Sequence, residues 1–184
     1  VSPTKYAGKD APGRARNLVR HRDVIFATAR PALRRVAIVP KELDGQVVST
    51  AFCVIRAEET QAHPEYLYYV VSSPDFVARV GRLERGASYP AVTDVNIFTQ
   101  QIALPSRLEQ EKIAGVLSKI QRAVENQERI VRDLRELKAA TIAKLFREGL
   151  RGEPLKQTEI GEIPRSWKLI KLKELVLRKI TDGT

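Results

Sequence analysis

The chain has 184 residues, 43% of them apolar, and a formal net charge of +10; it holds two histidines, one cysteine and no methionine. That is enough apolar material for one modest core, and the lack of any long uncharged apolar run excludes a helical membrane span. The lone Cys53 excludes a disulfide framework within the chain and no signal-peptide pattern opens it, so a soluble, cytoplasmic protein is expected, and the start at Val1 fits a segment of a longer one.

The charge is local. Residues 1–35 carry nine Lys/Arg against two Asp/Glu, whereas residues 36–104 carry five against eight. A basic arm beside a slightly acidic domain is the footprint of contact with a polyanion, nucleic acid first. A solvated basic surface kept for solubility is the plain alternative.

In residues 1–22 the turn formers Gly8, Pro12 and Gly13 alternate with basic residues, which reads as an irregular basic loop leading into a strand. "DVIFAT", "RRVAIVP" and "QVVSTAFCVIRA" are Val/Ile-rich runs separated by the turn signals Pro31, Pro40 and Gly45, and predict adjacent strands. In "HPEYLYYVVSSPDFVARVGRL" prolines at first-turn positions and apolar spacings of three and four predict two short helices, Pro64–Ser72 and Pro74–Leu83, with His63 as a capping loop residue. After "ERGASYPAV", "TDVNIF" reads as one helical turn capped by Thr93 and "TQQIALP" as a closing strand. The fold class expected is α+β, with a first domain over residues 1–105.

Ser106 followed by Glu109 is a capping-box pattern that opens a helix over residues 106–148. Ile113, Leu117, Ile120, Val124, Gln127, Val131 and Leu134 alternate steps of four and three, and Ile130, Leu137, Ile142 and Leu145 widen the stripe. At 1.5 Å per residue the helix is ~60 Å long, too long to be buried on a small domain and too apolar on one side to stand alone. An antiparallel hairpin or a homodimeric coiled coil would satisfy it. Gly149 and Gly152 end it in a linker, residues 149–165, and "TEIGEIPRSWKLIKL" reads as the opening of a further domain from residue 166 to 184.

Catalytic patterns are missing. His21 and His63 are not spaced with Cys53 for a metal, and no HExxH, CxxC, Walker or GxGxxG pattern occurs. Asp75, and Glu136 with Lys138, do not gather into a nuclease site, and the glycine-rich loop and [DN]PP[FY]-type motif of a base methyltransferase are absent.

The stretches "DVIFATARPALRRVAIVPKELDGQVVSTAFCVIRA", "GASYPAV", "IALPSRLEQEKIAGVLSKIQRAVE" and "LKAATIAKLFREGLRGEPLKQTEIGEIPRSWKLIKL" resemble the specificity subunit of Type I restriction-modification enzymes. "LPSRLEQEKIA" resembles the start of that family's conserved helix, and "TEIGEIPRSWKLIKL" the opening of its target-recognition domains. In the family a subunit is a tandem repeat of recognition domain and helix. The resemblance therefore implies a partial target-recognition domain over 1–105, the conserved helix as a spacer and dimerisation rod over 106–148, and the start of a second recognition domain over 166–184.

It further implies recognition of one half of a bipartite duplex target. Phosphate and base contacts are expected from the basic loop (Lys5, Lys9, Arg14, Arg16), the strand turn (Arg30, Arg34, Arg35) and "RLERGASYP" (Arg82, Arg85, Ser88, Tyr89). Ile113, Leu117, Ile120, Val124, Val131, Leu134 and Leu137 would pack on helices of the modification (methyltransferase) subunits, or on a second copy if the chain is a half-subunit. The restriction subunit would join through the complex. No cofactor is expected in this chain, since S-adenosylmethionine, ATP and Mg would serve the partner subunits. The competing reading is a coiled-coil scaffold whose basic arm binds nucleic acid without sequence preference.

Overall fold

The computed structural model describes Thr4, Tyr6 and residues 10–86 and 90–176. Its elements run β1 (Ala15–Leu18), β2 (Val24–Ala27), β3 (Val36–Ile38), β4 (Val47–Ser49), β5 (Phe52–Ile55), α1 (Pro64–Ser72), α2 (Pro74–Gly81), α3 (Asp94–Phe98), α4 (Arg107–Glu148), β6 (Leu155–Thr158) and β7 (Gly161–Pro164). The mixed α+β class is as expected. The chain divides into two compact units, Val1–Arg122 and Ala123–Thr184, with the division inside α4.

In the first unit β2 is the middle strand of an antiparallel sheet ordered β3-β2-β5, and β1 pairs with β4 in a two-stranded ladder. All four residues of β2 are buried. Because side chains alternate across a strand, Val24 and Phe26 join Cys53 under Val71, Phe76, Val77 and Val80 of the helices, while Ile25 packs with Val19 and Val39 on the opposite face. Burial on both faces explains why "DVIFAT" shows no polar alternation. Phe26 and Phe76 meet edge to face, ring centres 6.1 Å apart. Burial pushes the Cys53 thiol up to about 12, with Asp94 adding to it, so this thiol is inert packing material.

Three expectations are corrected. "QVVSTAFCVIRA" is not one strand: it breaks at Thr50–Ala51 into β4 and β5, which serve different sheets. "TQQIALP" forms no strand, because side chains take its carbonyls. Arg79 Nη1 donates to Gln101 O at 2.8 Å, Tyr66 Oη to Ala103 O at 2.8 Å and Gln110 Nε2 to Pro105 O at 2.9 Å. The second short helix also stops at Gly81, with Arg82 as its cap. Thr93 caps α3 as expected, in a reciprocal box closed by Asn96.

The first turns of α4 belong to this unit. Glu109 N–H donates to the Ser106 hydroxyl at 3.4 Å, one half of the expected box. Gln110, 1% exposed, is held three ways: its Oε1 accepts from His63 N–H at 2.8 Å, and its Nε2 donates to Gln61 O at 3.0 Å and to Pro105 O. Ala114 is buried one turn on, and Tyr69 Oη donates to Ser118 Oγ at 3.0 Å.

In the second unit, residues 155–164 of the stretch expected as a linker form the antiparallel hairpin β6–β7. Gly149 ends α4 with φ 66°, donating its N–H to Leu145 O at 2.9 Å. A Cβ at this position would meet Pro164 Cγ at 3.0 Å and the Trp167 ring at 3.3 Å, so glycine is required both for the left-handed turn and for the close approach.

Candidate nucleic-acid interface

One end of the three-stranded sheet is a rim, the end at which β2 leaves and β3 and β5 enter. Thr28 N–H and its hydroxyl both donate to Ala51 O, at 2.9 and 3.0 Å, and Thr50 N–H donates to Arg14 O at 2.7 Å. Val92 N–H donates to Thr28 O at 2.9 Å; Ala91 then bridges both Ala29 and Arg85, and Arg30 N–H donates to Pro90 O at 2.8 Å. Four segments distant in sequence are thus tied backbone to backbone: the loop before β1, the Thr50–Ala51 turn, the β2–β3 turn and the loop after α2.

The rim carries most of the arginines that the sequence singles out. Arg14, Arg30, Arg34, Arg35, Arg82 and Arg85 are all exposed on or beside it, Arg82 at the end of α2, which packs on the 3-10 turn Pro31–Leu33. Arg14, Arg34, Arg35, Arg82 and Arg85 pair with no carboxylate among the described residues. Arg16 is exposed on β1, but its Nε donates to Gly13 O at 2.8 Å and braces the turn. Lys5, Lys9, Ser88 and Tyr89 lie outside the described residues.

Other arginines are spent on the fold. Arg56 grips the buried Asp23 through Nε and Nη2 at 2.8 and 2.6 Å, and Asp23 also accepts from Arg20 N–H at 2.7 Å. The hydrogen bond to Asp23 raises the pKa of Arg56. Arg22 Nη2 donates to Glu65 at 2.8 Å. Burial pushes the Glu65 carboxyl up, but the Arg22 hydrogen bond and charge outweigh it and hold the pKa below its ordinary value. His63 Nδ1 lies 2.9 Å from the same carboxylate. The ties of Arg56 to Asp23, of Arg22 to Glu65 and of Gln110 to His63 and Gln61 were not legible beforehand, because these partners lie from 33 to 49 residues apart; the only hint was Gln110's place in "LPSRLEQEKIA".

The stripe along α4 divides in two. Ile113 and Leu117 are half-buried, beside Gln110, Ala114 and Ser118 in the first turns of the helix. Ile120, Val124, Val131, Leu134 and Leu137 are exposed, Leu137 to 62%. Among the described residues no three His, Cys, Asp or Glu side chains are grouped to hold a metal ion, and no helix is long and apolar enough to cross a membrane.

These features define a class of protein: a small α+β module that presents exposed arginines from a rim of loops and is continued by one long helix with an apolar stripe. The chain belongs to the family of Type I restriction modification DNA specificity domains, whose model matches residues 9–134. It is 25% identical over 140 residues to the Type I restriction enzyme HindI specificity subunit of Haemophilus influenzae, covering 75% of this chain and 30% of that protein. It is 36% identical over 94 residues to the MjaVIII specificity subunit of Methanocaldococcus jannaschii, covering 50% of this chain and 22% of that one. The crystal structure of the HsdS subunit from Thermoanaerobacter tengcongensis superposes with a TM-score of 0.63 at 35% identity, over 95% of this chain and 43% of the other. A chain from a structure describing complex assembly and conformational transition of the type I R-M system gives 0.60 at 37% identity, over 94% and 43%. This chain spans less than half the length of each of these proteins.

Proposed function

We propose that this chain is part of a sequence-specific DNA-binding specificity subunit of a Type I restriction-modification enzyme, and that its first unit reads one half of a bipartite duplex target. The observation that carries this reading is the rim: five exposed arginines without carboxylate partners among the described residues, gathered at one end of a three-stranded sheet. Guanidinium groups so presented suit phosphate oxygens and the O6/N7 edge of guanine in the major groove. Lys5, Lys9, Ser88 and Tyr89, outside the described residues, are proposed as DNA contacts on sequence grounds alone.

The exposed part of the α4 stripe is the dock for the modification subunits, with the restriction subunit joining through the complex. The bond making and breaking, with S-adenosylmethionine, ATP and Mg, takes place on those partners in the cytoplasm, and this chain supplies the address without a catalytic group. The exposed stripe also favours a second reading, a coiled-coil scaffold that meets nucleic acid through charge alone.

Selection from a random duplex pool separates the two readings. The complete protein, purified with its modification subunits, is expected to enrich a two-part consensus with an unspecified gap at near-physiological salt, and Arg34→Ala is expected to weaken the preferred duplex by ~1–3 kcal/mol if that arginine reads a base. Binding without enrichment, fading evenly as salt rises, would leave only the scaffold.

A further inference from the structure

The turn from β2 to β3 has an apolar tip. Arg30 and Arg34, both with left-handed backbones at φ 52° and 49°, bracket the 3-10 turn Pro31–Leu33. Residues with a Cβ adopt that region at a cost, so the turn persists because its surroundings hold it. Besides the bond from Arg30 N–H to Pro90 O, Leu33 N–H donates to Arg30 O at 3.0 Å, Arg34 N–H to Pro31 O at 2.9 Å and Ala27 N–H to Arg35 O at 2.9 Å, and Pro31 is wholly buried. Leu33, on this fixed support, is 51% exposed.

A single exposed leucine is ordinary. This one stands beside Arg34 and Arg35, which have no carboxylate partner among the described residues, so whatever approaches the two guanidinium groups is an anion that also meets an isobutyl group held in place. Duplex DNA offers that pairing of features in its major groove, where the thymine C5-methyl lies within a wall of phosphates.

We propose that Leu33 is a specificity-determining residue that reads one thymine of the target through its C5-methyl group, with Arg34 and Arg35 engaging the flanking phosphates or base edges. The proposal rests on the duplex-reading function proposed above.

The test uses the complete protein with its modification subunits and the duplex enriched by selection, with each thymine replaced singly by deoxyuridine. Wild type is expected to lose about fourfold in affinity at one such position, the worth of one buried methyl group. Leu33→Ala is expected to bind the thymine duplex about as weakly and to lose its thymine-over-uracil preference at that position only, while Leu33→Met, which restores apolar contact, keeps it. An unchanged urea midpoint for both variants keeps the reading about contact rather than folding. The assignment is overturned if no thymine methyl matters to wild type, or if Leu33→Ala weakens thymine and uracil duplexes equally at every position. Either result leaves the selected consensus, and with it the DNA-reading function, standing. Failure to enrich any duplex would sink the function itself.

Discussion

Arg22 and Arg34 share a guanidinium and a left-handed backbone, at φ 69° and 49°, and use them in opposite ways. Arg22 folds back onto Glu65 and Glu59 at the base of α1; Arg34 projects from the rim with no described carboxylate to hold it. The first is a fastening whose pH dependence can be worked out. Glu65 is held below its ordinary pKa in the folded state, so its ion pair stabilises the protein fully above the unfolded carboxyl value near 4.5 and loses that contribution as pH falls through the lower folded value. Glu65→Gln is therefore expected to be less stable than wild type at pH 7 and to close the gap on acidification, read from urea midpoints across a pH series. A gap constant down to pH 3 would show that Glu65 acts through something other than its charge. Gln110→Leu removes three hydrogen bonds at once and strands His63 N–H among buried groups. A loss of roughly 2–4 kcal/mol in unfolding free energy is expected, and a loss under about 0.5 kcal/mol would mean the joint relaxes around the change. Nothing in the local sequence separates these roles. Arg56 and Arg35 look alike until Asp23, 33 residues from Arg56, is known to lie beneath it.

At the scale of elements, legibility followed the range of the forces involved. Both short helices, the cap at Thr93 and the span of α4 were readable because spacing and capping are local. The break at Thr50–Ala51 was not, because β4 and β5 are both apolar and only their different partners, β1 and β2, tell them apart. "TQQIALP" was read as a closing strand and yet its carbonyls go to Arg79, Tyr66 and Gln110, a competition between side chains and ladder that no local pattern reveals. The α4 stripe was read as one seam, and along it Ile113 and Leu117 are half-buried whereas the later members are exposed. The pair to change in testing the dock is accordingly Val124 with Leu134, both exposed, rather than any pair that includes the half-buried Leu117. Val124→Asp combined with Leu134→Asp is expected to abolish co-purification with the modification subunits while leaving the unfolding of the first unit unchanged. Normal assembly of that variant would place the dock elsewhere. Gly149→Ala is expected to destabilise the second unit by about 1–3 kcal/mol, from backbone strain together with the contact on Pro164 and Trp167.

For the molecule as a whole, the number of its cationic side chains that neutralise phosphates, rather than the net charge of +10, sets how binding responds to salt. Each rim arginine that neutralises a phosphate releases a counterion, so removing one is expected to reduce the slope of log affinity against log salt by about 1, whereas removing one that reads a base lowers affinity for the preferred duplex with less change in slope. Titrations of Arg34→Ala, Arg35→Ala, Arg82→Ala and Arg85→Ala on specific and random duplexes sort the four into these two kinds. An unchanged slope together with unchanged affinity for the preferred duplex in every variant would remove the rim from the interface.

The separation of the two sets of arginines has a consequence for how such a protein changes over generations. The residues that fasten the fold, Asp23 with Arg56 and Glu65 with Arg22, lie apart from Arg34, Arg35, Arg82 and Arg85, whose side chains make no hydrogen bond or ion pair among the described residues. Surface substitutions of that kind usually shift stability by no more than about 0.5 kcal/mol. If the rim reads the duplex as proposed, it is free to drift, trading one preferred duplex for another, without bringing the scaffold near the threshold of unfolding. A new specificity is within reach of a few codon changes that the rest of the chain does not register.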